Sequence, residues 1–327
     1  MSGIVLGVIV AVCALIGALV AFDVAFVSLK KGGMRMEGRF GSYVSSRLIQ
    51  INCFVILTLF CIFWMLPLVI GVLGSLTSQY SFTYAPGHLI PEDGFTFDNY
   101  LALFNQHELS GERIPVERWI LNSFLVATVN TFLYLLIAGF AAYAFVFLRF
   151  KFRNVVFLII IFTMVIPGIA TMAPQLSNIA NLGISKSLWA LILPGLGGVG
   201  GLYLIRQFYL SIPVDLIESA RIDGASDFRI FFKIVFPLAK TVFLVQGLFC
   251  FMGSWNDLFW PQIVIGTTNK ELWTLPVGVA YLSSSKTANA MGLSLASAIF
   301  SAFPIFILYL FTQNKIIEGV AATGVKR

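Results

Sequence analysis

Long apolar runs alternate with short polar segments along nearly the whole chain. A helix needs about 20 apolar residues to cross the hydrocarbon core of a bilayer. Seven runs are long enough, and they cover about residues 3–28, 48–74, 119–148, 155–180, 187–210, 240–265 and 292–314. The pattern therefore predicts an all-α polytopic membrane protein.

Two of these runs contain residues that interrupt helices. The fourth holds Pro167-Gly168, and the fifth holds Pro194-Gly195 and the glycine-rich segment 197–201. Proline removes a backbone hydrogen bond, and small residues let a helix break where it lines a cavity. Both spans are predicted to bend, which suits a bundle that rearranges better than it suits a simple anchor.

Composition and charge agree with a membrane location. Charged residues make up 11% of the chain, whereas soluble domains carry roughly 25%. Sixteen of the 21 Lys and Arg residues lie in alternate connectors, near residues 30–47, 149–153 and 206–240, or at the C-terminus. Cytoplasmic loops are enriched in basic residues, so these segments are predicted to be cytoplasmic and the N-terminus outside. The net charge of +6 then reflects topology and requires no nucleic acid.

The first run, residues 3–28, has two interpretations. It resembles the apolar part of a signal peptide. However, no basic residue precedes it, and Asp23 and a basic connector follow. These features favour a retained transmembrane anchor.

The sequence contains no recognisable catalytic or metal-binding set. Its four cysteines and two histidines lack the spacing of a metal site, and no phosphate-binding loop of the G-x-x-x-x-G-K-[ST] type is present. The chain is therefore not predicted to be an enzyme, and no cofactor of its own is expected. Any ATP hydrolysis must take place on a partner.

Residues 211–237 have the pattern of a helical hairpin at the cytoplasmic surface. Ser211-Ile212-Pro213 suits a helix start, and this helix is predicted to run to about Ile222. Gly224 permits a tight turn, and Ser226-Asp227 begins a second short helix.

Apolar side chains recur on one face of the second helix, at Phe228, Phe231, Phe232 and Val235. A helix that rests on lipid would explain this stripe. It would not explain Glu218 and Asp223, because acids are unfavourable against anionic headgroups. The pattern favours a docking site for a soluble protein.

The hairpin resembles a known family motif. Glu218-Ser219-Ala220 and Asp223-Gly224-Ala225, followed by Phe231, Ile234 and Pro237, are similar to the EAA loop of ABC importer permeases, E-A-A-x-x-D-G-A and then F-x-x-I-x-x-P. The chain departs once, with Ser219 in place of the first alanine.

Two further segments, residues 255–261 and 319–326, resemble carbohydrate permeases of the MalG kind. The resemblance covers about residues 48–327. Residues 1–47 have no counterpart and are expected to form an extra N-terminal transmembrane helix with a basic cytoplasmic connector.

The resemblance implies a type I ABC importer permease with a six-span core, in the cytoplasmic membrane of a bacterium or archaeon. Its cargo would be an oligosaccharide or another carbohydrate. The expected partners are a second, different permease chain, a dimer of ATP-binding subunits that hold ATP and Mg²⁺, and an extracytoplasmic solute-binding protein.

In that family the hairpin docks in a cleft of the ATP-binding subunit and carries its closure into the spans. The resemblance assigns this role to Glu218, Ala220, Asp223, Gly224, Ala225, Phe231, Ile234 and Pro237. The C-terminal tail, residues 315–327, either reaches between the ATPase subunits or frays.

Candidate cargo contacts are Trp255, Asn256 and Trp260, since sugars favour aromatic faces and hydrogen-bonding side chains. Aromatic residues near an interface also serve as membrane-belt residues. Two alternatives stay open: an ABC permease for a non-sugar solute and an ion-coupled secondary transporter. The second is disfavoured because Asp23 and Asp257, the acids within the predicted spans, both lie toward span ends.

Overall fold

The computed structural model describes residues 39–78, 91, 93–105, 113–266, 269–284 and 291–324. Within these ranges the chain is helical, with an isolated antiparallel bridge between Thr77 and Phe95. The extra N-terminal helix predicted over residues 3–28 lies outside the described residues. The following helix begins at Arg39, so the end of the predicted connector is already helical.

Fourteen α-helices occur in the described ranges. They are α1 (Arg39–Ser75), α2 (Asp98–Phe104), α3 (Val116–Phe147), α4 (Arg153–Phe162), α5 (Gly168–Asn181), α6 (Trp189–Ile192), α7 (Val199–Tyr209), α8 (Val214–Ile222), α9 (Asp227–Ile230), α10 (Phe236–Leu238), α11 (Lys240–Trp255), α12 (Phe259–Ile265), α13 (Leu275–Ser284) and α14 (Met291–Gly324). Short 3₁₀ turns extend α4 and α6, and a π-helical turn, Phe231–Val235, joins α9 to α10.

Three helices are each long and apolar enough to cross a membrane, within Gln50–Ser75, Val116–Phe147 and Met291–Gln313. Three bent helix pairs meet the same criterion when each pair is taken as one span, so the described residues provide up to six crossings. The last helix continues to Gly324. Most of the segment predicted as a tail is therefore helical.

The predicted breaks fall where proline requires them. Ile166 is extended (φ −74°, ψ 119°), as the residue before a proline tends to be, and Pro167 starts α5. The span bends by 103° at this break. The next span bends by 45° at Gly198, just after the 3₁₀ turn that contains Pro194. Neither segment is a straight rod.

The run predicted as one span over residues 240–265 is interrupted. α11 ends at Trp255 and α12 begins at Phe259. Asp257 lies in the gap, and its Oδ1 accepts the backbone N–H of Trp260 at 3.2 Å. A hydropathy pattern does not reveal this break, because the segment is apolar on both sides of Asp257. The carboxylate stabilises the break by accepting a backbone N–H that the start of α12 leaves free.

The described residues fall in two compact units. In the first, the end of α1 holds the start of α2. Asn99 donates from Nδ2 to the carbonyl oxygens of Ser75 and Thr77, each at 2.9 Å, and the Ser75 and Tyr100 hydroxyls lie 2.7 Å apart. This unit includes the beginning of α14, where Ile299 lies 3.4 Å from a Cβ built on Gly71.

The second unit is built around α3, which packs mainly against α11 and α7. Close approach depends on small residues facing large ones. A Cβ added to Gly139 would lie 2.7 Å from the Phe243 ring, and one added to Gly201 would lie 1.8 Å from the Tyr134 hydroxyl. These glycines set the distance between the helices.

The start of α3 fixes the segment that precedes α13. Asn122 donates from Nδ2 to the carbonyl oxygens of Glu271 and Trp273, at 2.7 and 2.9 Å, and Ser123 accepts the N–H of Leu275 at 2.7 Å. Trp119 is fully buried and donates to the Lys270 carbonyl. The segment before α13 is thus anchored to α3.

Gly201→Ala is expected to destabilise the protein by about 1–3 kcal/mol, because the new methyl group overlaps Tyr134 in a packed interface. Gly200→Ala is the matched control, since a Cβ at Gly200 meets no atom within 4 Å. Thermal unfolding of the purified protein in detergent measures both. Equal melting temperatures for the two variants would contradict the role of Gly201 in helix spacing.

Candidate functional site

The first hairpin helix has one buried and one exposed face. Pro213 precedes α8, and Asp215 lies in its first turn, where an acid suits the helix dipole. Ile217 is fully buried and belongs to the hydrophobic cluster around α3. Glu218 is exposed, with its carboxylate 3.8 Å from Arg149. α8 therefore packs on the bundle through one side only.

The turn between the hairpin helices requires glycine. Gly224 has φ +78°, in the left-handed region that other residues rarely adopt. The N–H of Ala225 donates to the Ala220 carbonyl at 3.0 Å, and that of Gly224 to the Arg221 carbonyl at 3.0 Å. This pattern is a Schellman C-cap. The predicted turn is present at the predicted residue.

The second half of the hairpin departs from the predicted regular helix. Ser226 caps α9 by accepting the N–H of Arg229 at 3.4 Å. After α9 the backbone adopts a π-helical turn, in which the N–H of Phe236 donates to the carbonyl of Phe231. In a π turn each backbone hydrogen bond joins residues five apart instead of four, which changes the side chains that share one face of the helix.

The predicted apolar stripe is therefore only partly correct. Phe231 and Val235 are buried, but Phe228 and Phe232 are 69% and 49% exposed. Ile230, which the α-helical spacing placed off the stripe, is completely buried. The buried face follows the π-turn geometry rather than the 3.6-residue period.

Aromatic packing holds the hairpin on α3. The ring of Phe140 lies 4.4 Å from that of Phe231, centre to centre, with Phe228 and Phe232 5.7 and 5.8 Å away. Tyr143 makes an edge contact with Phe231 at 5.9 Å. Rings at these separations have the geometry of favourable aromatic pairs.

A polar cluster on α3 and the hairpin, here called the clamp, consists of Tyr143, Phe147, Arg221 and Asp227. Oδ1 of Asp227 accepts the Tyr143 hydroxyl at 2.8 Å and Nη2 of Arg221 at 3.0 Å. The same Nη2 donates to the Phe147 carbonyl at 3.1 Å. The bonds to Arg221 and then to Tyr143 lower the pKa of Asp227.

The predicted coupling residues separate into two groups. Glu218, Asp223, Gly224 and Pro237 are exposed. Phe231 is buried, and Ala220, Ala225 and Ile234 are partly buried against the cluster around α3. The hairpin thus presents charged and turn residues outward while its small and aromatic residues attach it to the spans.

A cavity of about 530 Å³ lies among the broken helices of the second unit. Its wall comes from α3, α5, α6, α11 and α12, and it includes polar side chains at Asn130, Thr171, Gln175, Ser254 and Asp257. Phe259 and Trp260 add aromatic surface. Irregular backbone at membrane depth is tolerated where it lines such a space.

Of the three predicted cargo residues, Trp260 alone lines the cavity. Trp255 is buried away from the cavity, donates from Nε1 to the Ser301 carbonyl at 3.0 Å and stacks on Phe251. Asn256 is exposed at the end of α11 and does not line the cavity. Trp260 does line it, and its Nε1 is held by the Ala190 carbonyl at 3.1 Å.

Sequence reasoning missed most of the cavity and the clamp. Asn130, Thr171 and Gln175 lie in apolar runs, where polar residues spaced along one helix face are a signal that can be read. The partnership of Tyr143 with Asp227 joins residues distant in sequence. Only the fold brings them together.

Comparison with known proteins decides the family. Residues 134–315, more than half of the chain, match the family described as binding-protein-dependent transport system inner membrane component. The chain belongs to this family. It is therefore a permease component of an ABC importer, a multi-pass membrane protein and not an enzyme. Membership implies a partner permease, an ATPase and a binding protein.

Individual relatives agree. The permease is 32% identical to the arabinooligosaccharides transport system permease protein AraQ of Bacillus subtilis, over 71% of this chain and 79% of that one. It is 30% identical to the sn-glycerol-3-phosphate transport system permease protein UgpE of Pectobacterium atrosepticum, over 78% and 89%.

A solved structure confirms the predicted all-α permease fold. It is the crystal structure of a bacterial ABC transporter involved in the import of the acidic polysaccharide alginate. The match has a TM-score of 0.69 at 24% identity and covers 86% of this permease and 99% of that chain.

Asp227→Asn is expected to loosen the hairpin, because the variant loses a charge-assisted bond to Arg221. The side chains are partly exposed, so the loss is about 0.5–1 kcal/mol and amide exchange across residues 214–230 should rise about two- to fivefold. Hydrogen–deuterium exchange of the permease measures this, with Glu218→Gln as the control on the same hairpin, because its exposed contact with Arg149 at 3.8 Å contributes little.

The clamp also has a defined pH dependence. Because folding lowers the pKa of Asp227, its stabilisation is fully present above the unfolded value and is lost as pH falls through the folded value. The difference between wild type and Asp227→Asn should therefore stay constant above about pH 5. A difference that disappears near neutral pH would contradict this assignment.

Proposed function

We propose that this permease imports an oligosaccharide and that residues 211–237 couple it to the ATPase. The observation that carries the coupling is the two-sided hairpin. Exposed Glu218 and Asp223 flank a turn at Gly224, while Ile217 and Phe231 bury the opposite side against the spans. A segment with one exposed face and one packed face is suited to transmit the movement of a docked partner to the spans.

The mechanism follows from that arrangement. Closure of the ATP-binding dimer moves the outward face of the hairpin, and the aromatic contacts and the clamp pass the motion to α3. α3 also contributes Val126 and Asn130 to the cavity wall. The hairpin and the cavity therefore move as parts of one packed body, which switches between two arrangements. ATP and Mg²⁺ belong to the partner subunit in this proposal.

The membrane orientation is part of the proposal. The hairpin follows α7 directly, and Arg149, Lys151 and Arg153 occupy the connector after α3. An excess of basic residues favours the cytoplasmic side, where the ATPase is available. The C-terminal end of α14 lies on the same side.

The proposed cargo class rests on relatives. The relative AraQ transports arabinooligosaccharides by name, which supports a carbohydrate. The relative UgpE transports sn-glycerol-3-phosphate by name, so a small phosphorylated polyol is the alternative cargo. The mixed polar and aromatic wall of the cavity suits a polyhydroxylated molecule, because hydroxyl groups need hydrogen-bond partners and the sugar face needs an apolar surface.

The complete importer in proteoliposomes is expected to take up a neutral arabinose trisaccharide only when ATP is supplied on the ATPase side. An ionophore should leave the rate unchanged, because the energy comes from ATP. Uptake that needs no ATP and stops with the ionophore would identify a secondary transporter. Uptake of sn-glycerol-3-phosphate without the trisaccharide would establish the alternative cargo.

Gly224→Val is expected to lower ATP-driven uptake at least about tenfold while the permease still inserts normally. A β-branched residue at φ +78° costs about 1–2 kcal/mol of backbone strain and distorts the docking turn. Gly224→Asn is the matched control, because asparagine tolerates the left-handed region. Uptake and ATPase stimulation by the loaded binding protein are measured together. Wild-type rates for the valine variant would exclude the turn from coupling.

A further inference from the structure

The cavity wall combines apolar and polar side chains, and its charge is one-sided. Among the described lining residues, Asp257 is the one ionisable acid, and no Lys or Arg is present. The other polar side chains are amides and hydroxyls. Such a wall offers many hydrogen bonds to an uncharged molecule and no counter-charge to an anion.

A structural role explains only in part why an aspartate occupies position 257. Its Oδ1 accepts the N–H of Trp260 at 3.2 Å and so caps the break before α12. Asparagine caps a helix start about as well as aspartate does. A charge at span depth is costly, whereas an amide would cost less. The cap alone therefore does not explain a carboxylate at this position.

The Asp257 carboxylate can also accept hydrogen bonds from a ligand. An ionised Asp has two oxygens and about four acceptor sites, of which the bonds from the backbone N–H groups of Trp260 and Phe259 use two. Asp257 lines the cavity, as do Gly168 and Gly253, whose missing side chains leave the wall open. Hydroxyl groups donate strong, charge-assisted bonds to carboxylates.

The neighbouring aromatic surface is held in place. Trp260 lines the cavity while its Nε1 donates to the Ala190 carbonyl at 3.1 Å, so its ring cannot rotate freely. A fixed ring beside a carboxylate presents an apolar face and an acceptor to the same molecule. This combination suits a sugar ring that stacks on one side and donates hydroxyls at its edge.

We infer that this cavity is a cargo site selective for uncharged polyhydroxylated molecules, with Asp257 excluding phosphorylated and uronic-acid cargo. The inference rests on the proposed function and makes it narrower. In a partly dry site, a carboxylate and an anionic cargo group repel each other much more strongly than in water. Neutral hydroxyls are attracted by the same charge.

The first test measures the cavity charge through the rates at which charged reagents modify a cysteine. Gly253→Cys is introduced into the permease with its native cysteines replaced by alanine, and the complete importer is reacted with cationic and anionic methanethiosulfonates. After correction for their rates with a free thiol, the cationic reagent is expected to react about tenfold faster. Asp257→Asn keeps the cap and should bring the ratio near one. Gly200→Cys, outside the cavity, is the control whose ratio should not respond to Asp257→Asn.

Cargo protection gives the second readout. A neutral arabinose trisaccharide should slow labelling of Gly253→Cys severalfold, and a uronic-acid trisaccharide of equal length should slow it only in the Asp257→Asn background. A labelling ratio that Asp257→Asn leaves unchanged, or equal protection by both sugars in wild type, would overturn the inference. If wild type fails to import the neutral trisaccharide at all, the proposed cargo class fails, and the labelling ratio still reports the cavity charge.

Discussion

Packing along α3 is the interaction on which the other features of the second unit depend. The helix has 32 residues, about 48 Å at 1.5 Å per residue, and it is buried at many positions along its length. Its start holds the segment before α13 through Asn122 and Ser123. Its middle forms one wall of the cavity through Asn130, and its end receives the hairpin through Phe140 and Tyr143. One continuous helix thus reaches three regions of this unit.

The bent spans around α3 complement this rigidity. Broken helices leave backbone groups that the membrane cannot satisfy, so each break must face protein or a cavity. The break at Pro167-Gly168 and the gap at Asp257 both border the same cavity. A continuous helix beside two broken ones combines a body suited to transmit motion with walls that can rearrange. The proposed coupling from hairpin to cavity needs both.

Much of this fold could be predicted from the sequence, whereas little of the candidate site could. Apolar length predicted the spans, and proline and glycine predicted the bends because their effect on the backbone is local. The turn at Gly224 was predictable for the same reason. The π turn at Phe231–Val235 was not, since it depends on how the rings pack against Phe140. Asn130 and Asp257 meet across a cavity only after five helices have assembled, and no spacing rule connects them.

The hairpin attachment combines two interactions of different strength. Burying a Phe side chain stabilises by about 1.5–3 kcal/mol, so Phe231 and its neighbours supply most of the attachment. Exposed ion pairs such as Arg221–Asp227 contribute about 0.2–1 kcal/mol. Aromatic packing is tolerant of rotation, however, whereas the clamp requires specific atoms at hydrogen-bond distance. The rings therefore hold the hairpin on α3, and the clamp sets its angle. In the proposed coupling, this angle determines where Glu218 and Gly224 meet the ATPase, so a weak polar cluster would control coupling without dominating stability.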